Sequence, residues 1–175
     1  MKNIPKVPET NNFLFKSLNH EQLQAVKHVY GPLLVVAGAG SGKTKALTHR
    51  IANLIENNSI DPYNILAVTF TNKAAKEMKA RLEVLLAQEL AFNQFGQPWS
   101  TLKEIDQNQL RTNVNQERLQ NLWIGTFHSL FSRLLRYDIE KYNDPEGLSW
   151  TRQFSIYDET DSQTLVKEII SQDMN

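Results

Sequence analysis

The sequence predicts an α/β protein with a parallel sheet and flanking helices. Short continuous apolar runs at 33–37, 65–70 and 122–126 read as strands buried on both faces. Each run is followed by a stretch in which apolar residues recur at helical spacing, and a glycine-rich turn joins the first run to its helix. Strands alternating with helices place crossover helices on the faces of a parallel sheet.

Composition narrows the class. A chain of 175 residues with 41% hydrophobic and 22% charged residues has room for one domain, or one domain with part of a second. Lys+Arg and Asp+Glu are both 19, so any polyanion has to be held by local clusters rather than by a global basic field. The absence of cysteine excludes disulfide scaffolds, thiolate metal sites and cysteine nucleophiles. His20, His28, His49 and His128 lack ligand spacing, which argues against zinc. Neither a membrane span nor a signal peptide is recognisable, so a cytoplasmic protein without a membrane partner is expected.

Residues 1–13 have no periodicity and are expected to form a disordered tail. Asn19-His20-Glu21-Gln22 fits a capping box ahead of Leu23, Val26 and Val29, and Gly31-Pro32 ends that helix. Leu33 to Ala37 is the first strand. Leu47, Ile51, Leu54 and Ile55 mark the next helix, which Asn57-Asn58-Ser59 and Asp61-Pro62 stop. Ile65 to Phe70 is the second strand, followed by a helix with Ala74, Ala75, Met78, Leu82, Leu85 and Leu86 on one side. Leu122 to Thr126 is the third, followed by a stripe of Phe127, Leu130, Phe131, Leu134 and Leu135. Residues 88–120 hold eleven Gln or Asn among 33 and read as a polar insertion, partly ordered at best. Residues 138–152 read as a loop around Asp144-Pro145-Glu146-Gly147. A strand-like Phe154-Ser155-Ile156-Tyr157 and a helix with Leu165, Val166, Ile169 and Ile170 complete the chain.

Ala37-Gly38-Ala39-Gly40-Ser41-Gly42-Lys43-Thr44, between strand and helix, has the pattern of a phosphate-binding loop, with Ala37 in place of the usual first glycine. Glycines let successive backbone N–H groups converge on phosphate oxygens, and the helix that starts at Gly42-Lys43-Thr44 puts its partial positive end under the anion. Lys43 would reach the β- and γ-phosphates and the Thr44 hydroxyl would hold Mg²⁺. A mere glycine-rich connection would not require strand, loop and helix to fall in register.

Three further groups are candidates, each with a structural reading beside it. The Gln22 amide matches the N6/N7 edge of adenine but also completes the capping box. At the carboxyl end of the second strand, Phe70, Thr71, Asn72 and Lys73 offer an aromatic face, polar donors and a cation. These are the ingredients of a single-strand channel, or else of a solvated helix face with Phe70 in the core. Gly125-Thr126-Phe127-His128-Ser129 ends the third strand, where Thr126 and His128 could bond phosphates or serve structure alone.

These elements in this order resemble the UvrD/PcrA/Rep group of superfamily 1 DNA helicases. Leu18 to Gln22 resembles the group's Q motif, Ala37 to Thr44 its motif I, Leu66 to Met78 its motif Ia and Ile124 to Ser129 its motif Ib. Phe154 to Asp158 is similar to the segment that follows, and the likeness spans about residues 15–87 and 121–175. The resemblance implies a P-loop NTPase fold: an incomplete first RecA-like domain over 14–127, containing the polar insertion 88–120, and the truncated start of a mostly helical accessory subdomain over 128–175. It implies ATP and Mg²⁺ as cofactors, with catalytic roles for Lys43 and Thr44 and nucleotide contacts from Gln22, residues 37–44 and Lys45. It further implies contacts of Phe70, Thr71, Asn72, Lys73, Thr126, Phe127 and His128 with single-stranded DNA or single-strand/duplex junctions, and ATP-driven 3′ to 5′ movement in repair or replication. Lys45 stands where the group usually has an arginine that stacks on adenine, and an ammonium lacks that planar face.

In the group, an Asp-Glu pair on a later strand completes the Mg²⁺ site, and arginines from a second RecA-like domain act at the γ-phosphate. Asp158-Glu159 superficially resembles that pair. Its preceding run is short and carries Ser155 and Tyr157, and Thr160 to Gln163 supplies a capping box, so the acids fit a helix start. The resemblance therefore places the acidic motif, and the remaining helicase domains as partners, beyond residue 175. The expected chain is the nucleotide- and DNA-binding part of a helicase, inactive in hydrolysis by itself. A stand-alone binding module without motor activity is the alternative. A small-molecule kinase would have no need of the aromatic-basic strand ends.

Overall fold

The computed structural model describes residues 13–142, 145, 147 and 149–173. The expected tail lies outside them apart from Phe13, which opens a 3-10 turn, Phe13–Phe15. Part of the expected 138–152 loop, including Asp144 and Glu146, also lies outside the described residues. The chain divides into two compact units, Met1–Leu130 and Phe131–Asn175.

Helix α1 (His20–Lys27) begins at the predicted capping box. Asn19 Oδ1 accepts from the Gln22 N–H at 2.8 Å, and Gln22 Oε1 accepts from the Asn19 N–H at 3.2 Å. Two donors that the first helical turn leaves without partners are thereby satisfied. Helix α2 (Lys43–Glu56) starts from Gly42 with no side-chain cap. Strand β1 (Leu66–Thr69) leads into α3 (Asn72–Phe95), where Thr71 Oγ1 accepts from the Ala74 N–H at 3.1 Å, and the left-handed Gly96 (φ 63°) ends the helix. Helix α4 (Glu104–Val114) runs into a π-helical turn, Asn115–Leu119. Strand β2 (Trp123–Thr126) and α5 (Phe127–Asp138) follow. The strands pair in parallel, Leu66 level with Trp123 and Thr69 with Thr126.

The core of the first unit lies between α2 and α3 and extends to α4. Ile51, Ala52 and Ile55 of α2 meet Met78, Leu82 and Leu86 of α3, with Leu14 beneath them. Each fully buried leucine here contributes roughly 1.5–3 kcal/mol.

Four expectations need correction. First, Leu33 to Ala37 is not a strand, so the sheet has two strands among the described residues. The segment lacks a ladder partner, and its side chains alternate. Leu33 and Val35 line a cavity with Ala25, Ala46 and Leu47, whereas Leu34 and Val36 are 86% and 88% exposed. An extended chain with one face on helices satisfies the apolar pattern without pairing.

Second, the Gln/Asn-rich stretch 88–120 is largely helical. Helix α3 continues through it to Phe95, and Ala91, Leu110, Val114 and Leu119 are buried in the core. The apolar residue in every few positions is enough to dock it, and the amides occupy the outer face. Arg111 Nε–Glu83 at 2.5 Å and Arg118 Nη1–Glu56 at 2.9 Å join it to α3 and α2.

Third, Phe154 to Tyr157 forms no strand. In the second unit the Phe154 carbonyl, with that of Arg152 just before the segment, meets a side chain. Arg136 donates to Arg152 O at 2.6 Å and Phe154 O at 3.3 Å, with the guanidinium 4.7 Å from the Phe154 ring centre.

Fourth, the cap of the last helix, α6 (Glu159–Asp173), lies two residues earlier than the predicted Thr160 to Gln163 box. Asp158 Oδ1 accepts from the Asp161 N–H at 2.9 Å, and Asp161 Oδ2 accepts from the Asp158 N–H at 3.1 Å. Asp158 and Glu159 thus form a helix start, as expected from their surroundings. The face carrying Leu165, Val166, Ile169 and Ile170 is about half exposed along its length.

Candidate functional site

The glycine-rich loop is closed on itself by side chains. The Lys43 ammonium donates to Ala37 O at 2.7 Å and Gly38 O at 2.6 Å, and Ser41 Oγ donates to Gly38 O at 2.8 Å. Gly40 (φ 75°) and Gly42 (φ 84°) lie in the left-handed region, which a side chain makes costly. Gly38 needs neither exemption, because a Cβ there would meet no protein atom within 4 Å. The first backbone N–H groups of α2 have no side-chain cap, the arrangement that receives an anion. Thr44 lies exposed beside Lys43 on that first turn.

Gln22 completes the capping box and also reaches the loop. Its Oε1 caps α1, while its Nε2 donates to Ser41 O at 3.1 Å, tying α1 to the loop. Lys45 Nζ donates to Ser17 O, so the side chain that follows the loop points to the lead-in of α1. Burial, partly offset by the hydrogen bond to Leu14 O and reinforced by Lys45, holds the His49 imidazole below its ordinary pKa. It is therefore neutral at neutral pH, with Nδ1–H donating to Leu14 O at 2.7 Å.

The parallel pairing places the two strand tips side by side. Phe70 is 94% exposed rather than in the core, and its ring lies 6.5 Å from that of Phe127, at 62° in an edge-on arrangement. Lys73 and His128 are also exposed. Thr71 caps α3. Thr126 is only 8% exposed. Its Oγ1 lies within hydrogen-bond reach of both Asn72 Oδ1 at 3.4 Å and Ser129 Oγ at 3.2 Å, so the one hydroxyl links the two tips. A Cβ on Gly125 would come within 2.5 Å of Ser129 Oγ, so glycine here lets the Ser129 and Leu130 side chains pack close to the strand end.

Three features had no sequence signal. Arg50 and Asn53 donate to Ala25 O at 2.6 Å and Val26 O at 3.0 Å, and main-chain acceptors leave no residue-type signature. Glu56, Glu89 and Arg118 cluster across a separation of more than thirty positions in the chain. Among the described residues, no group of three or more His, Cys, Asp or Glu could hold a metal, and no helix is long and apolar enough to cross a membrane.

A glycine-rich loop ahead of a helix with no side-chain cap, held to a capping glutamine, and two aromatic strand ends are the features to set beside known families. The model of the UvrD/REP helicase N-terminal domain matches residues 18–175, and the chain belongs to that family. It is similar to the ATP-dependent DNA helicase PcrA of Staphylococcus epidermidis, with 42% identity over 159 residues. That match covers 91% of this chain and 17% of the relative. The ATP-dependent DNA helicase PcrA of Staphylococcus aureus is 38% identical over the same lengths. The chain thus spans about a sixth of the length of these curated relatives.

Proposed function

We propose that this chain is the ATP- and single-stranded-DNA-binding part of a 3′ to 5′ DNA helicase of the UvrD/PcrA type, built on an incomplete RecA-like domain. Joined to further helicase domains, it would couple ATP hydrolysis to unwinding in repair or replication. The observation that carries the reading is the union of Gln22 with the loop. One amide reaches the Ser41 carbonyl while Lys43 spans the loop's own carbonyl groups, so a base and a triphosphate would be held from one connected frame. The residues suit a nucleotide. The uncapped N–H groups of α2 and the Lys43 ammonium would hold the phosphates, with Gln22 and Lys45 towards adenine. The Thr44 hydroxyl is a hard oxygen donor of the kind Mg²⁺ takes, and the metal would supply charge neutralisation across the phosphates when bound. Phe70 and Phe127 would stack on unpaired bases, with Lys73 and His128 towards phosphates and Thr71, Asn72 and Thr126 shaping the tips.

Titration of the 175-residue chain with a fluorescent ATP analogue and Mg²⁺ tests the reading. Weak binding, lost by about a hundredfold in Lys43→Ala, is expected together with negligible turnover. Vigorous hydrolysis stimulated by single-stranded DNA would overturn the assignment of the missing catalytic parts to other domains.

A further inference from the structure

The carboxyl end of helix α1 and the segment leading into it are both gripped from α2. The last carbonyl groups of a helix have no partner within it, and buried ones need an outside donor. Gln24 O is answered by the His28 N–H at 3.1 Å. The next two carbonyl groups are answered from α2: Arg50 Nη1 donates to Ala25 O at 2.6 Å and Asn53 Nδ2 to Val26 O at 3.0 Å. At the other end, Lys45 donates to Ser17 O and His49 to Leu14 O. These four donors fall at positions 45, 49, 50 and 53, a single stripe of α2 that begins directly after the loop. Asn53 is 3% exposed, and its own Oδ1 accepts from Asn57 at 2.8 Å, so its orientation is fixed from behind.

The stripe and the loop are parts of one continuous backbone, because α2 grows directly out of Gly42. Gln22 links α1 to the loop through its Nε2, which donates to Ser41 O at 3.1 Å and lies directly against the face of Gly42. A Cβ on Gly42 would come within 2.5 Å of its Nε2. A slide of α1 along α2 would lengthen and break the Gln22–Ser41 bond. We infer that Arg50 and Asn53 are positioning residues that set the register of α1 on α2 and so hold the Gln22 amide against the phosphate-binding loop. This deepens the proposed nucleotide site, and its link to base selectivity rests on that reading.

The test has two readouts on the full 175-residue chain. In the first, the side-chain amide protons of Gln22 are followed by NMR in wild type, Arg50→Met, Arg50→Lys and Asn53→Asp. Arg50→Met keeps the aliphatic stem but cannot donate, Arg50→Lys restores one donor, and Asn53→Asp keeps the acceptor for Asn57 while losing the donor to Val26. Arg50→Met and Asn53→Asp are expected to shift the Gln22 amide signal and speed its exchange, with Arg50→Lys close to wild type. An unmoved Gln22 signal in a folded Arg50→Met protein would overturn the inference. If Asn53→Asp fails to fold, the Arg50 pair still decides.

The second readout compares ATP, GTP and inorganic tripolyphosphate as competitors. Arg50→Met is expected to reduce any preference for ATP over GTP by about tenfold, with tripolyphosphate affinity held within about twofold. Equal losses for all three competitors would mean a merely structural role and sink the inference. A wild-type chain without ATP preference would count against the adenine reading of Gln22 alone, because the NMR comparison judges the register independently.

Discussion

Gly42 and Gln22 exclude one another's alternatives. A Cβ at residue 42 would approach Gln22 Nε2 to 2.5 Å, and the residue's φ of 84° lies where only glycine is comfortable. Two independent constraints, one steric and one conformational, therefore act on a single position at the mouth of α2. The same glutamine cannot retreat freely, because its Oε1 holds the Asn19 N–H at 3.2 Å.

Gly42→Ala is accordingly expected to cost about 1–2 kcal/mol from the left-handed backbone, with a further loss as Gln22 is pushed from Ser41. Thermal unfolding reads the first effect and ATP-analogue titration the second. Gly38→Ala provides the contrast, since a Cβ there meets no protein atom. Its melting temperature should remain close to wild type. Equal destabilisation by the two substitutions would contradict this account of the loop.

Lys45→Arg should sharpen selection for ATP. The lysine bonds to Ser17 O but has no planar face, and a guanidinium supplies both donors and a stacking surface. An ATP-to-GTP affinity ratio raised about threefold or more is expected in the variant. Identical ratios in the two proteins would refute the role given to residue 45.

Phe70→Ala should weaken binding of a short oligothymidylate by about 1–3 kcal/mol, the usual worth of one stacked base. Its side chain is almost wholly exposed, so the melting temperature should hardly move. Phe127→Ala should act in the same direction, because the two rings form a pair. Unchanged affinity in the double substitution would remove the strand tips from the proposed DNA path.

Glu89 gives the first unit a calculable pH dependence. The residue is 8% exposed, and its Oε2 has no hydrogen-bond partner. Burial and then the charge of Glu56 push its pKa from 4.5 up to about 8, against the pull of Arg118, which is engaged by Glu56 at 2.9 Å. Burial raises the pKa of Glu56 as well, opposed by Arg118. Folded Glu89 keeps its proton where the unfolded chain has already released it. Its contribution is complete below about 4.5, declines as the pH rises and is gone above about 8. Glu89→Gln should flatten that decline and stabilise the protein by on the order of 1–3 kcal/mol at alkaline pH. Thermal melts from about pH 5 to pH 9 decide the matter, and two parallel curves would refute the burial argument.

How much of this was legible in the sequence depends on the range of the interactions involved. The Asn19–Gln22 box and the strand–helix transitions at Thr69 and Thr126 are local, and the sequence located them closely. The apolar run at Leu33 was misread because an extended chain lying on helices has the same composition as a paired strand. The Gln/Asn-rich stretch was misread because amide content hides a sparse apolar stripe, in which Leu110, Val114 and Leu119 suffice to dock it. Phe70 could not be placed either in or out of the core from residue type alone, and the structure puts it outside. The Arg50 and Asn53 bonds end on main-chain oxygens, which every residue possesses.

Helix α3 gives these parts a mechanical connection. Its 24 residues make a rod of about 36 Å. One end is seated on Thr71, next to Phe70, and the other passes Phe92, whose ring stacks on Phe13 at 6.5 Å and carries the Lys16 ammonium 5.0 Å from its centre. With Glu89 clustered with Glu56 and Arg118 near that far end, a load applied at the exposed aromatic tip has a stiff beam along which to travel. Strain created there would be felt several turns away before any loop had time to absorb it.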